Sequence, residues 1–212
     1  MIVLSRTIIL IPCSGSKREG GETSYNTNSS ILNYLTDSSR KHLLNLRRRL
    51  FEYFSIQFGQ DVGHHNNKIY YMPAHKRYAG KDSQIYRQIS PSSWDILRNT
   101  ENLDLVIISA LYGLLRYDEP IRYYDKKMKD IMEHQTLKTW WRNNGLCDIV
   151  KDYLNKNNIS EVHSVLSNDY NEALRGCFTD IGAKYVYHDF SEYKSGSNAH
   201  RGKWVDDFIQ NF

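Results

Sequence analysis

The feature that most constrains this chain is an alternation. Short runs rich in β-branched and aromatic residues recur between longer segments with helical spacing. The runs are Thr7 to Ile11, Lys68 to Met72, Leu105 to Ile108, Val162 to Leu166 and Lys184 to His188, and each predicts a buried strand. Between them, Leu43, Leu46, Leu50, Phe51 and Phe54 repeat at helical intervals, as do Ile149, Val150, Tyr153 and Leu154. A further helical region is expected between Lys126 and Asn157, broken around Asn144 and Gly145. Strands alternating with helices predict an α/β fold with a mostly parallel, roughly five-stranded sheet covered by helices. The polar stretches Gly15 to Ser30 and Gly59 to Asn67 read as loops, not linkers, so residues 1–212 are expected to form a single domain.

The chemically unusual words all follow a predicted strand. Pro12-Cys13-Ser14-Gly15-Ser16-Lys17 follows the first, Pro73 to Gly80 the second, and Ser109-Ala110-Leu111-Tyr112-Gly113 the third. Ser167-Asn168-Asp169-Tyr170 follows the fourth, and Ser191 to Gly196 comes shortly after the fifth. Ligands of open α/β sheets bind outside the carboxyl ends of parallel strands, where such loops converge, so one shared site is expected.

Each word has a chemical and a bland reading. Ser14, Ser16 and Lys17 suit an anion cradle built from backbone N–H groups and a point charge, or a plain glycine-serine turn. Cys13 is a nucleophile beside His75, or an inert buried thiol. Lys76, Arg77 and Lys81, interleaved with Tyr78 and Tyr86, fit phosphate contact and base stacking, or a solvated face. The run Arg47-Arg48-Arg49 grips a phosphate backbone or faces water. His64 and His65 lie in a polar loop without metal-ligand spacing, and His200 reads as a capping or surface residue, so no metal site and no cofactor is expected.

A net charge of +4 permits an anionic partner without requiring one. The sixteen tyrosines against seven phenylalanines favour half-wet surfaces or a polar site. Cys13, Cys147 and Cys177 are widely separated, with no C-x-x-C spacing for zinc or a redox pair, which fits a reducing compartment. The N-terminal apolar stretch is interrupted by Arg6 and is too short for a signal or membrane span, so the expected location is cytoplasmic, without membrane contact.

The stretch from Ile108 to Leu115, with Ile121, Tyr124 and Met128 in register, resembles the YaaA family signature L-S-G-L-Y-G-L-L-x-P-x-D-x-I-x-x-Y-x-x-x-M. Three further words fall in the same order. Pro12 to Lys17 is similar to the family's S-P-A-K, Ser167 to Tyr170 to its S-D-x-Y, and His200-Arg201-Gly202 through Ile209 to its A-R-G-x-x-x-R-F-I. Tyr78-Ala79-Gly80 resembles the tyrosine-glycine word before the signature. The chain departs from the pattern where Tyr117 replaces the proline and where Cys-Ser-Gly is inserted early. That insertion resembles P-C-S-x-K domains related to archaeosine synthase and, in fold, to uracil-DNA glycosylases.

The resemblance implies a YaaA-like or glycosylase-like fold and a role in limiting oxidative DNA damage. Its partner would be nucleic acid, DNA ahead of RNA, or a nucleotide. Cys13, Ser109, Asn168 and Asp169 are the candidates for chemistry, including attack at an N-glycosidic bond. Ser14, Ser16, Lys17, Lys76, Arg77, Tyr78, Lys81, Tyr112, Gly113, Tyr124, Ser167, Tyr170 and Arg201 are the candidates for binding. Action on a free nucleotide or modified base, and a non-catalytic binding role, stand as alternatives.

Overall fold

A computed structural model describes residues 5–65 and 68–212. The start of the N-terminal apolar stretch, and Asn66 and Asn67 at the end of the second polar loop, lie outside the described residues. The first apolar run forms Arg6–Pro12 (β1), every residue of which from Thr7 onward is buried. Such a strand must be covered on both faces and flanked on both edges, so it takes the centre of the sheet. Leu103–Ser109 (β3) pairs with it in parallel on one side and Ile159–Ser164 (β8) on the other, with Ile9 opposite both Leu105 and His163. Lys184–Tyr187 (β9) extends the parallel set beyond β8.

The fifth strand is not the one predicted. Gly113–Arg116 (β4) folds back antiparallel on β3, giving a mixed sheet in the order β4-β3-β1-β8-β9. The reversal uses Gly113 at φ +70, and a Cβ there would lie 2.7 Å from the Trp141 ring, so only glycine fits. The run Lys68 to Met72 stays outside this sheet. Only Tyr71–Pro73 (β2) pairs, antiparallel with Pro120–Arg122 (β5), before the chain turns into the short helix Ala74–Arg77 (α2). Pro73 has no N–H to continue a ladder, which ends the strand.

Helices cover the sheet. Asp37–Tyr53 (α1) starts at Thr36, whose hydroxyl accepts from the N–H of Ser39, and buries Leu43, Leu46, Leu50 and Phe51. Pro91–Asn99 (α3) starts at Ser90 with proline in its first position, where the missing N–H costs nothing. Leu137–Asn143 (α4) and Leu146–Lys156 (α5) are separated by Asn144 and Gly145, as the sequence predicts. The expected helix from Lys126 to Thr136 does not form. Ile131–Met132 (β6) and Gln135–Thr136 (β7) make a hairpin there, closed by Glu133 and His134 at positive φ. Asn168–Ala173 (α6) follows β8, and Ser197–Gln210 (α7) closes the described chain. Among the described residues one hydrophobic core runs from Ile8 to Ile209, and no helix is long and apolar enough to cross a membrane.

Candidate functional site

Because β1, β3, β8 and β9 are parallel, their carboxyl ends share one edge of the sheet, and the loops after β1, β8 and β9 meet there. One basin of about 400 Å³ is walled by Pro12, Cys13, Ser14, Gly15 and Ser16 from the first loop, Ser167 and Tyr170 from the start of α6, and Lys127. Through Ser167 and Asn198 it joins a second basin of about 560 Å³, lined by Lys129, Asn168, Asp169, Asp189, Lys194 and Arg201 among others. A third hollow of about 580 Å³ continues past Asp82 and Gln84 to Lys81 and Arg87, and touches Ser195. The three form one polar trough.

Tyrosine hydroxyls hold the first basin in place. Tyr170 brings its hydroxyl 3.1 Å from Cys13 Sγ, and Tyr86 donates to the Pro12 carbonyl at 3.0 Å. The Asp82 N–H donates to Ser16 Oγ at 3.1 Å, joining the first loop to the segment after α2. Beneath lies a closed cluster in which Tyr124 OH is 2.7 Å from Tyr78 OH and 2.8 Å from Ser109 Oγ. Burial pushes both phenols well above their ordinary range, so they stay neutral donors. The Lys17 ammonium stands 4.3 Å from the Tyr124 ring centroid with no hydrogen-bond partner among the described residues, and burial lowers its pKa, opposed by Cys13 and Asp125.

In the second basin the charges are unevenly satisfied. Asp169 accepts from Lys138 at 2.6 Å and lies 3.7 Å from Lys129. Asp189 accepts the N–H and hydroxyl of Ser191, both at 2.9 Å, which holds its carboxyl below the usual range. Arg201 is buried, with a weak bond to Asn198 Oδ1 at 3.3 Å, and its Nε has no partner among the described residues. Lys194 stands in the wall at a positive φ of 46, a strained backbone position for a residue with a side chain. Six cations line the trough (Lys81, Arg87, Lys127, Lys129, Lys194 and Arg201) against three carboxylates, Asp82, Asp169 and Asp189. Among the described residues no group of histidine, cysteine or acidic side chains is arranged to hold a metal ion.

The family model described as Peroxide stress protein YaaA matches residues 10–211, nearly the whole chain. The chain belongs to this family. Membership implies a role in oxidative stress. No curated protein matches the chain. The likeness of Pro12 to Lys17 to archaeosine synthase and glycosylase-like domains gains no support from the YaaA match.

The words that resemble the YaaA patterns occupy two levels. Cys13, Ser14, Ser16, Ser167, Asn168, Asp169, Tyr170 and Arg201 line the trough, and Lys81 stands at its far end. Ser109, Tyr78 and Tyr124 lie below it, fully or almost fully buried. Tyr112 is buried too. Its hydroxyl bonds to Asp61, and its ring meets Phe51 edge-on, leaving no face for a base. Gly113 serves the β3–β4 reversal described above. Arg77, expected on phosphate, instead lies in the interior and donates to the carbonyls of Arg18, Gly20 and Tyr70. Its neighbour Lys76 is exposed on α2.

The other sequence candidates are engaged elsewhere. Cys13 and His75 make no dyad: His75 bonds the Tyr117 carbonyl at 2.9 Å through Nδ1 and packs at a tilt against the Trp94 ring. Arg47 is buried against Glu119, while Arg48 donates to Val62 O and Arg49 to Glu133. His64 stacks on Phe58, His65 meets Gln60, and His200 stacks on Tyr193 at 3.7 Å. Sequence reasoning passed over Lys127, Lys129 and Asn198. The only cue to them was the density of lysines after the signature stretch and of small polar residues before α7.

Proposed function

We propose that the trough binds a nucleic-acid strand, with DNA as the first candidate, and that this binding is the protein's contribution to resisting oxidative stress. The observation that carries the reading is the composition of the trough: hydroxyl and amide groups along its length, flanked by six cations that outnumber the carboxylates. Phosphates are held by such cations, and bases by hydroxyl and amide groups at their edges or by aromatic faces. Lys81, Lys129, Lys194 and Arg201 are assigned to phosphates, and Ser14, Asn168 and Asn198 to base edges. Tyr193, 41% exposed, stacked on His200 and next in sequence to the trough residue Lys194, is assigned the stacking role that Tyr112 is too buried to fill.

Binding is favoured over base excision because Asp169 is already bonded to Lys138 and poorly placed to activate water. A free nucleotide is the second reading, favoured by the basin over Cys13, whose volume of about 400 Å³ suits one nucleotide unit. Fluorescence anisotropy with labelled oligonucleotides across a salt series separates the two. Strand binding predicts log affinity falling with log salt by about 0.7 per phosphate contacted, and a slope shallower by about 1.4 in Lys129→Ala/Lys194→Ala. Absent or salt-insensitive binding overturns the strand reading. Mononucleotide binding that matches the oligonucleotide's would support the second.

A further inference from the structure

The cysteines carry no pair spacing in the sequence, yet the fold brings two of them together. Cys147 lies in the first turn of α5, and Cys177 follows α6. The Cys177 thiol donates to the Cys147 carbonyl oxygen at 3.4 Å, which sets the two cysteines side by side. Their environments differ. Cys147 is partly exposed, and the bond from Cys177, with Lys151 one turn along the helix, lowers its pKa. A thiol in the first turn of a helix also gains from the helix dipole. Cys177 is fully buried, and its bond to Cys147 together with burial pushes its pKa up.

We propose that Cys147 and Cys177 form a dithiol oxidised by hydrogen peroxide, with Cys147 as the reacting thiol and Cys177 as the resolving one. The Cys147 thiolate attacks one peroxide oxygen and the O–O bond breaks. The departing hydroxide takes a proton to leave as water, and Cys147 becomes a sulfenic acid. The Cys177 sulfur then attacks Cys147, its own proton leaves with the displaced hydroxide as a second water, and the S–S bond forms. Two thiols and one peroxide give one disulfide and two waters. The new bond ties α5 to the segment after α6, the helix that presents Asn168, Asp169 and Tyr170 to the trough. This dithiol is independent of the nucleic-acid reading.

The test uses the full chain, reduced and then exposed to stoichiometric hydrogen peroxide, with peptide mass mapping. The expected product is an intramolecular link between the peptides of Cys147 and Cys177, with Cys13 left free, and dithiothreitol reverses it. Cys177→Ser is expected to stop at a Cys147 sulfenic acid captured by dimedone, and Cys147→Ser to lose both products. Three results on the unmodified chain would overturn the proposal: both thiols surviving peroxide that oxidises free cysteine, oxidation confined to Cys13, or only intermolecular links. None of these results touches the oligonucleotide titrations.

Discussion

Arg47 carries its charge into the core because acceptors wait for each of its nitrogens. It donates to Glu119 at 3.1 Å, to the Leu114 carbonyl at 2.8 Å and to the Tyr112 carbonyl at 3.1 Å. Glu119 in turn accepts from Ile31 N–H at 2.9 Å and from the Ser30 hydroxyl at 3.3 Å. Burial pushes the Glu119 carboxyl up and the guanidinium beside it pulls it back. The pair therefore pins α1 to the β3–β4 reversal and to the loop before α1. Glu119→Ala leaves a buried, unpaired guanidinium and is expected to cost about 3–5 kcal/mol in urea denaturation. Arg47→Met/Glu119→Leu removes both charges and is expected to recover most of that loss. A single variant no less stable than the double would show that the charge is not what the pair compensates.

At the scale of elements, the approach of α7 to the segment before α3 sets the geometry of the trough. Gly202 sits where a Cβ would collide with the Ile85 carbonyl and press on Gln88, so the helix comes as close as a bare backbone allows. Gly202 adjoins Arg201, which lines the trough and whose buried Nε has no partner among the described residues. In an exposed helix Gly→Ala would stabilise by up to about 1 kcal/mol through propensity, but here overpacking of about 1–3 kcal/mol opposes it. Gly202→Ala is expected to lower the denaturation midpoint and to weaken oligonucleotide binding together, because α7 must move outward and take Arg201 with it. A midpoint at or above that of the unchanged chain would mean the contact relaxes without moving the helix.

The elements also divide into those legible in sequence and those that were not. The runs that became β1, β3 and most of β8 are apolar because both faces are covered, and periodicity detects that directly, whereas β9, expected to be buried, is an edge strand with no buried residue and was legible only from its tyrosines and valine. The small paired elements escaped. β2 and β5 join over three residues, and the β6–β7 hairpin over two, too short for any period to register. The edge strand β4 depends on a positive φ at Gly113 within a word that looked chemical. For the candidate site, the loops after β1, β8 and β9 were readable because parallel strands fix which ends meet. Burial was not readable: Arg77 and Tyr112 have polar tips satisfied by distant groups, the carbonyls of Arg18 and Gly20 and the carboxylate of Asp61. The contact between Cys147 and Cys177 joins residues far apart in sequence, and no local spacing encodes it.

The molecule as a whole responds to acid through groups placed far from the trough. His75 is buried between Trp94 and Tyr117, and that burial lowers its pKa from 6.5 to about 4. Between those values the unfolded chain binds a proton at this position that the folded one refuses, so stability rises with pH across the window. The stabilisation is complete above the unfolded value and is lost as pH falls toward about 4. For this one residue it is on the order of 3 kcal/mol at most. His163 and His188, bonded to each other at 3.0 Å, are lowered for the same reason and act with the same sign. Burial raises Asp104 and Glu119, and these act in the opposite sense. His75→Asn keeps a side-chain N–H for the Tyr117 carbonyl but cannot titrate, so comparing it with the unchanged chain isolates the His75 share. Urea denaturation at a series of pH values is expected to show the two stabilities converging as pH falls from about 6.5 to about 4, because only the unchanged chain loses the linked stabilisation. A constant gap between them across that window would mean His75 is protonated in the folded protein without cost, and that its burial does not exclude the charged form.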